Sequence, residues 1–253
     1  MTTAVRVRPV ISIVTVSYSA VDALRQTLES VRAQNWDALE HIVIDGGSED
    51  GSVDLLRERN AHIDYWRSEP DLGIYDAMNK GLAQCRGDYV LFLNSGDVLR
   101  GRVLYPGMDS GRLLPVRLLD FWGRPRQLRM KDVHLGMPYC HQGVLFRNEG
   151  LVPYDTSLRL SADYEFLLAN LAQAGLGAPC DQGTGFVEFD TTGVSNTRVL
   201  ERDLEASRVI LRRFGRYHWL RFWSRQGPKL AIRWLVALWR GPGPVRKQSG
   251  FGQ

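Results

Sequence analysis

What most constrains this chain is an alternation in its N-terminal part. VISIVTVSY (10–18), EHIVIDGGS (40–48), IDYWRSE (63–69) and DYVLFLNSGD (88–97) are β-branched or aromatic runs that end in small or polar residues. Between them lie VDALRQTLESVRAQ (21–34), SEDGSVDLLRERN (48–60) and IYDAMNKGLAQC (74–85), whose apolar residues are spaced for helices. Strands and helices in turn, joined by short links, predict an α/β fold with a mainly parallel sheet and helices on its faces. The apolar run of the fourth strand does not alternate, which predicts burial on both faces. A length of 253 residues suits one such domain, or a domain with an appendage.

Beyond the fourth strand the pattern weakens. Residues 100–135 are rich in Gly, Pro and Arg and read as a variable loop region with one short helix. YCHQGVLFRN (139–148) predicts a strand, LSADYEFLLANLAQAG (160–175) a helix with an acidic start, and GFVEFDTTGVSN (185–196) a last strand and turn. A helix from about Thr197 to Phe214 leads into the tail. Cys85, Cys140 and Cys180 are isolated and odd in number, so they form neither a disulfide framework nor a metal site and read as small buried hydrophobes. The Met-Thr-Thr start has no secretory pattern, and no apolar run reaches the roughly 18 residues of a span, so a cytoplasmic location is expected.

Ligands of a parallel α/β sheet bind outside the carboxyl ends of its strands. There the sequence puts Thr15, Val16, Ser17 and Tyr18 after the first strand, Asp45, Gly46 and Gly47 after the second, and Asn94, Ser95, Gly96 and Asp97 after the fourth. The first turn, TVSYSAVD, lacks the GxGxxG of a dinucleotide fold, and no Walker lysine loop is present. A nucleotide bound here needs its phosphates neutralised in another way, and a divalent cation on Asp97 supplies it.

IVTVSY, IVIDGGSEDGS and SEPDLGIYDAMNKGLAQCRGDYVLFLNSGD, in this order and spacing, resemble the nucleotide-binding half of family 2 glycosyltransferases. HQGVLFRN followed by LSADYEFLL extends the resemblance to about Leu168, and TGVSN at 192–196 is similar to the family's closing strand. The resemblance implies a GT-A fold, a UDP- or GDP-linked sugar as donor, and Mg²⁺ or Mn²⁺ as cofactor. It implies that Thr15 to Tyr18 wrap the nucleoside and that Asp45 accepts a hydrogen bond from the base. Tyr75, Asn79 and Lys80 approach the donor, Lys80 toward a phosphate. Asp97 is the metal-binding carboxylate and Asp163 the general base, with Glu165 its nearest rival; His141 and Gln142 are acceptor contacts. Where the family usually has two or three carboxylates, this turn has Asn94 and Gly96, so Asp97 stands alone. The chemistry calls for these types: a cation stabilises the leaving diphosphate, and a carboxylate takes the proton of a sugar hydroxyl that attacks with inversion. Acidic side chains also favour helix N-termini, and Asp before Gly-Gly also makes turns, so Asp163 and Asp45 have structural readings as well.

The net charge of +4 divides unevenly. From Ala206 to the end there are eleven Lys/Arg and no Asp/Glu, leaving 21 basic against 28 acidic side chains, or −7, in residues 1–205. Trp219, Trp223, Trp234 and Trp239 fall in the same tail. The chain therefore reads as a GT-A domain over 1–205 and a basic, Trp-rich extension over 206–253, broken at Gly227-Pro228. Interleaved Arg and Trp suit an interfacial helix pair on the inner face of the cell membrane, where a lipid-linked glycan acceptor for surface polysaccharide would be met. Packing on the catalytic domain or across a homodimer is the alternative; no nucleic-acid motif accompanies the charge. A non-catalytic scaffold of the same fold is the rival to an enzyme, and the presence of both Asp97 and Asp163 favours the enzyme.

Overall fold

A computed structural model describes residues 10–104, 116–119, 125–127, 132–174, 185–190 and 198–240. The alternation is realised as β1 (Ile11–Ser17), α1 (Val21–Arg32), β2 (Leu39–Asp45), α2 (Ser52–Glu58), β3 (Tyr65–Ser68), α3 (Ile74–Leu82) and β4 (Tyr89–Phe92). The sheet has the order β3-β2-β1-β4-β8, where β8 is Phe146–Arg147; its first four strands run parallel and β8 runs against β4. Ile11, Ile13, Val14, Ile42, Ile44, Val90, Leu91 and Phe92 are buried throughout, which explains why these strands read as continuous apolar runs. The register sets Ser17 beside Asp45 and Asp45 beside Ser68, so the carboxyl ends of three strands finish level. Gly81 lets α3 lie close on the sheet, since a Cβ there would stand 2.4 Å from Val14 Cγ1.

The chain then enters a second sheet, β5-β9-β6-β7, built from β5 (Val98–Arg100), β6 (Val116–Leu119), β7 (Pro125–Gln127) and β9 (Phe186–Glu188). The expectation of loops over 100–135 is thus corrected. These strands are three or four residues long, too short to leave a period in the sequence. The expected strand over 139–148 is corrected too: His141–Gly143 is a 3-10 turn, and only Phe146–Arg147 pairs with the sheet. The similarity of TGVSN to a closing strand falls outside the described residues.

α4 (Ala162–Ala169) and the short α5 (Leu171–Ala174) replace the single helix expected over 160–175. The last element, α6 (Val199–Arg240), runs straight through the boundary expected at 205–206. Its break is at Gly215 (φ 80, ψ −177), whereas Gly227-Pro228 lies within the helix, which corrects the expected position. Ala206, Val209, Ile210 and Phe222 of α6 share an apolar cluster with Tyr164 and Leu168 of α4. Part of the tail thus packs on the catalytic domain.

Candidate active site

The turn after β4 is held from several sides. Asn94 N–H donates to Asp97 Oδ2 at 3.0 Å, and Asp190 N–H to Asp97 Oδ1 at 2.9 Å. Thr27, buried on α1, donates through its hydroxyl to Asp97 O at 2.8 Å and accepts from Gly96 N–H at 3.0 Å. Gly96 has φ 98, and a Cβ there would lie 2.8 Å from Asp190 Oδ2. Only glycine meets both conditions cheaply. Burial above all pushes Asp97 up to about 7, and the Asp190 carboxylate adds to the rise. Asp190 therefore stands beside the turn as a second carboxylate that the NSGD string does not contain.

Whether a divalent cation fits can be judged from the oxygens at this end of the sheet. Asp97 and Asp190 supply carboxylates, and the buried Asn94 Oδ1 and Ser17 Oγ have no hydrogen-bond partner. That is an all-oxygen set of the kind Mg²⁺ and Mn²⁺ take. No group of three or more His, Cys, Asp or Glu able to hold a metal occurs among the described residues, so a cation here would draw the rest of its shell from phosphate and water.

At the ends of β1 and β2 the expectations divide. Thr15 hydrogen-bonds His41 Nε2 at 3.0 Å inside the core, and Val16 is buried, so neither side chain faces a nucleoside. Ser17 and Tyr18 remain at the mouth, Tyr18 being 39% exposed. Asp45 accepts from Gly47 N–H (3.2 Å), Ser48 N–H (2.8 Å), Ser48 Oγ (2.5 Å) and Ser68 Oγ (2.7 Å). It organises the turn, and a base would have to displace one of these donors. Over Gly46, a Cβ would come within 2.6 Å of Asp71 Oδ2 and 3.1 Å of the Tyr18 ring, so Asp71 and Tyr18 lie close over the glycine backbone.

On α3 the three expected donor residues have different jobs. Asn79 clamps the backbone of Tyr154, donating to its carbonyl at 3.0 Å and accepting from its N–H at 2.8 Å, and so does not face a donor. Lys80 sits between Glu69 (3.3 Å) and Asp76 (3.1 Å). The Tyr75 ring stacks on Tyr154 at 5.6 Å, and its side chain lies near enough to Asp163 for the two to act on each other's ionisation.

Asp163 opens α4. Burial pushes it up to about 6, against the pull of the Tyr164 N–H, the Arg202 guanidinium and the Tyr75 hydroxyl. Asp97 and Asp163 both act on the Cys140 thiol, which burial above all raises well beyond its ordinary range. Each carboxylate of the expected chemistry therefore lies within electrostatic reach of Cys140. Glu165 is excluded as rival: Arg213 binds it at 2.6 Å and Arg212 at 2.9 Å. His141 and Gln142 are buried and do not face outward. His141 stacks on Phe92 at 5.2 Å, bonds the Tyr154 hydroxyl, and burial lowers it to about 3, so its ring is neutral. Gln142 accepts from Cys140 Sγ at 2.9 Å. The expected acceptor contacts are thus two buried side chains already engaged within the chain.

A mainly parallel sheet with a carboxylate turn after β4 and a second carboxylate, Asp163, at a later helix N-terminus is an arrangement of GT-A type. The profile of glycosyl transferase family 2 matches residues 12–109. An uncharacterised glycosyltransferase of Mycobacterium tuberculosis is 36% identical over 231 residues, 83% of this chain and 84% of that protein. A putative teichuronic acid biosynthesis glycosyltransferase of Bacillus subtilis, TuaG, is 36% identical over 95 residues, 36% of this chain and 37% of its own. The chain belongs to glycosyltransferase family 2. Among solved structures, TarS of S. aureus superposes with TM-score 0.57 at 18% identity, over 79% of this chain and 39% of TarS. The mannosyltransferase PcManGT of Pyrobaculum calidifontis, solved with GDP-Man and Mn²⁺, superposes with TM-score 0.55 at 14% identity, over 94% and 77%. At such identities these likenesses establish the fold.

Proposed function

We propose that the chain is an inverting glycosyltransferase that moves a sugar from a nucleotide-diphosphate sugar to a hydroxyl of a lipid-linked glycan acceptor in surface-polysaccharide biosynthesis. The observation that carries this reading is Asp163: a carboxylate at the start of α4, fixed by the Tyr164 N–H at 2.8 Å and raised to about 6 by burial, in a member of glycosyltransferase family 2. A base near the working pH is suited to take the proton of a sugar hydroxyl as that oxygen attacks the anomeric carbon. Ser17, Tyr18, Asp71 and the Gly46 backbone flank the nucleoside, and Asn94, Ser95, Gly96 and Asp97 face the sugar diphosphate. Lys80 turns to a phosphate by exchanging its carboxylate partners. Asp97, with Asp190, would hold Mg²⁺ or Mn²⁺. A cation bound there would supply positive charge to the leaving diphosphate.

The donor is UDP- or GDP-linked, a reading supported by solved neighbours of the same fold that carry UDP-GlcNAc and GDP-Man. Family membership with TuaG supports the pathway, and the basic tail supports action at a membrane face. The test is release of UDP or GDP from UDP-GlcNAc and GDP-mannose by the purified chain with Mn²⁺, with candidate lipid-linked acceptors added. Asp163→Asn and Asp97→Ala should each lower the rate by about 100-fold or more while the chain stays folded. Binding of UDP or GDP with no turnover of any donor would favour the scaffold reading instead.

A further inference from the structure

Asp163 reaches its position through an unusual junction. Ser161 is the N-cap of α4, yet its side chain makes no capping bond to that helix; its hydroxyl donates instead to Arg202 O of α6 at 2.9 Å. The three N–H groups before α4 are likewise taken by α6. Glu205 Oε1 accepts from Arg159 N–H at 3.1 Å, and Oε2 from Leu160 N–H at 2.8 Å and Ser161 N–H at 3.1 Å. A carboxylate from another helix thus does what a local cap would do, and its charge suits the positive end of α4. One turn further along α4, Arg212 and Arg213 of α6 hold Glu165. Asp163 lies between these two anchorages.

We propose that Glu205 is a positioning residue for transfer: by gripping the backbone of 159–161 it sets the Asp163 carboxylate where an acceptor hydroxyl arrives, which makes α6 part of the catalytic apparatus. The inference rests on the reading of Asp163 as base. It follows from chain geometry, because Asp163 is two residues beyond the last gripped N–H and cannot keep its place if that segment shifts. Arg202 and Glu205 also act electrostatically on Asp163 and Tyr75, respectively, so α6 acts on the base by charge, besides gripping the backbone of 159–161 by hydrogen bonds. A misplacement of the order of an ångström is enough to cost about 100-fold in rate.

The experiment uses the full chain with Glu205→Ala and Glu205→Gln, beside Asp163→Asn. Three quantities are read: turnover of UDP-GlcNAc or GDP-mannose with Mn²⁺, affinity for UDP or GDP with Mn²⁺, and amide hydrogen exchange of the peptide containing 159–163. Glu205→Ala should lower kcat by about 10- to 100-fold. Nucleotide affinity should stay within about twofold, since Glu205 is not among the proposed donor contacts, and exchange should accelerate at 159–163 more than in β1 or β2. Glu205→Gln keeps the length and one oxygen acceptor, so it should recover part of the rate; it also serves if the alanine variant fails to fold. Wild-type kcat in Glu205→Ala, or a loss of rate and nucleotide affinity in equal measure, overturns the proposal. Unchanged exchange at 159–163 overturns it as well, whichever donor is used. Full activity of Asp163→Asn would instead remove the base from the proposed function and leave the exchange result standing.

Discussion

As the proposed base, Asp163 would set a catalytic demand against stability within one side chain. Its carboxyl is pushed up to about 6, mainly by burial, while it must be ionised to accept a proton. The rate should therefore fall below about pH 6 with a slope of one, and a pH–rate profile of the wild type should show that limb. The stability consequence has a definite sign. A carboxyl whose folded value exceeds its unfolded value binds its proton more tightly when folded, so the penalty is absent below about pH 4 and fully present above about pH 6. Asp163→Asn should thus raise Tm at pH 8, by the equivalent of about 3 kcal/mol, and leave Tm nearly unchanged at pH 4. A variant less stable than wild type at pH 8 would mean that the ionised form is favoured in the fold. Asp97 and Asp163 were legible in the sequence because each sits at a local signal, a strand-end turn and a helix start. Asp190, Thr27 and Glu205 were not, because their partners are remote: Asp190 meets Asp97 across 93 positions and Glu205 meets Leu160 across 45. The engagement of Thr15 with His41 and of Asn79 with Tyr154 was hidden for a related reason. A polar residue near a strand end or on a helix looks the same in sequence whether it faces a ligand or satisfies a buried partner.

Elements with a long period were readable and short ones were not. The parallel strands and α1 to α3 follow the sequence pattern within a few residues at each end, whereas β5 to β9 have two to four residues each, and β5, β6 and β8 pair with chain far away in sequence. The break in α6 is instructive, since Gly227-Pro228 is the stronger sequence signal. Proline costs a helix one N–H bond and some crowding, but it keeps a helical φ. Gly215 instead adopts φ 80 and ψ −177, a region open almost only to glycine. His134 bridges this break, its ring 4.6 Å from Phe214 on one side and 4.6 Å from His218 on the other. Beyond it Phe222, Trp219 and Trp223 pack back on the α4 cluster. A Cβ at Gly215 would touch nothing within 4 Å, so the cost of Gly215→Ala is conformational rather than steric. That substitution should destabilise the docked arrangement by about 1 kcal/mol or more, lowering Tm and shifting Trp emission to the red as Trp219 and Trp223 become exposed. Unchanged emission would show that the second half of α6 keeps its place without the bend.

At the scale of the whole molecule, the charge division is also a division of surfaces. α6 spends Arg212 and Arg213 on Glu165, and Ala206, Val209, Ile210 and Phe222 on the core, so a cut near Arg208 would injure the catalytic domain itself. What remains outward is a different set: Tyr217 and Leu220 are 67% and 61% exposed, with Arg216, Arg221 and Arg225 exposed beside them. The sequence beyond adds Lys229, Arg233, Trp234, Trp239 and Arg240 with no acidic residue. No helix among the described residues is long and apolar enough to cross a membrane, so an association with lipid would have to be interfacial. Such binding combines basic side chains on anionic headgroups with Trp and Leu at the acyl boundary, each basic residue contributing about 1 kcal/mol near the surface. The full chain should therefore co-sediment with vesicles containing anionic lipid, and less so as salt rises to about 0.5 M. A chain ending at Gln226 keeps Phe222 and both arginines that hold Glu165, so it should remain folded and catalytically competent with a water-borne acceptor while losing most of the pelleting. Equal pelleting of the two chains, or pelleting indifferent to lipid charge, would leave the basic tail to a protein partner and detach the proposed acceptor from the membrane.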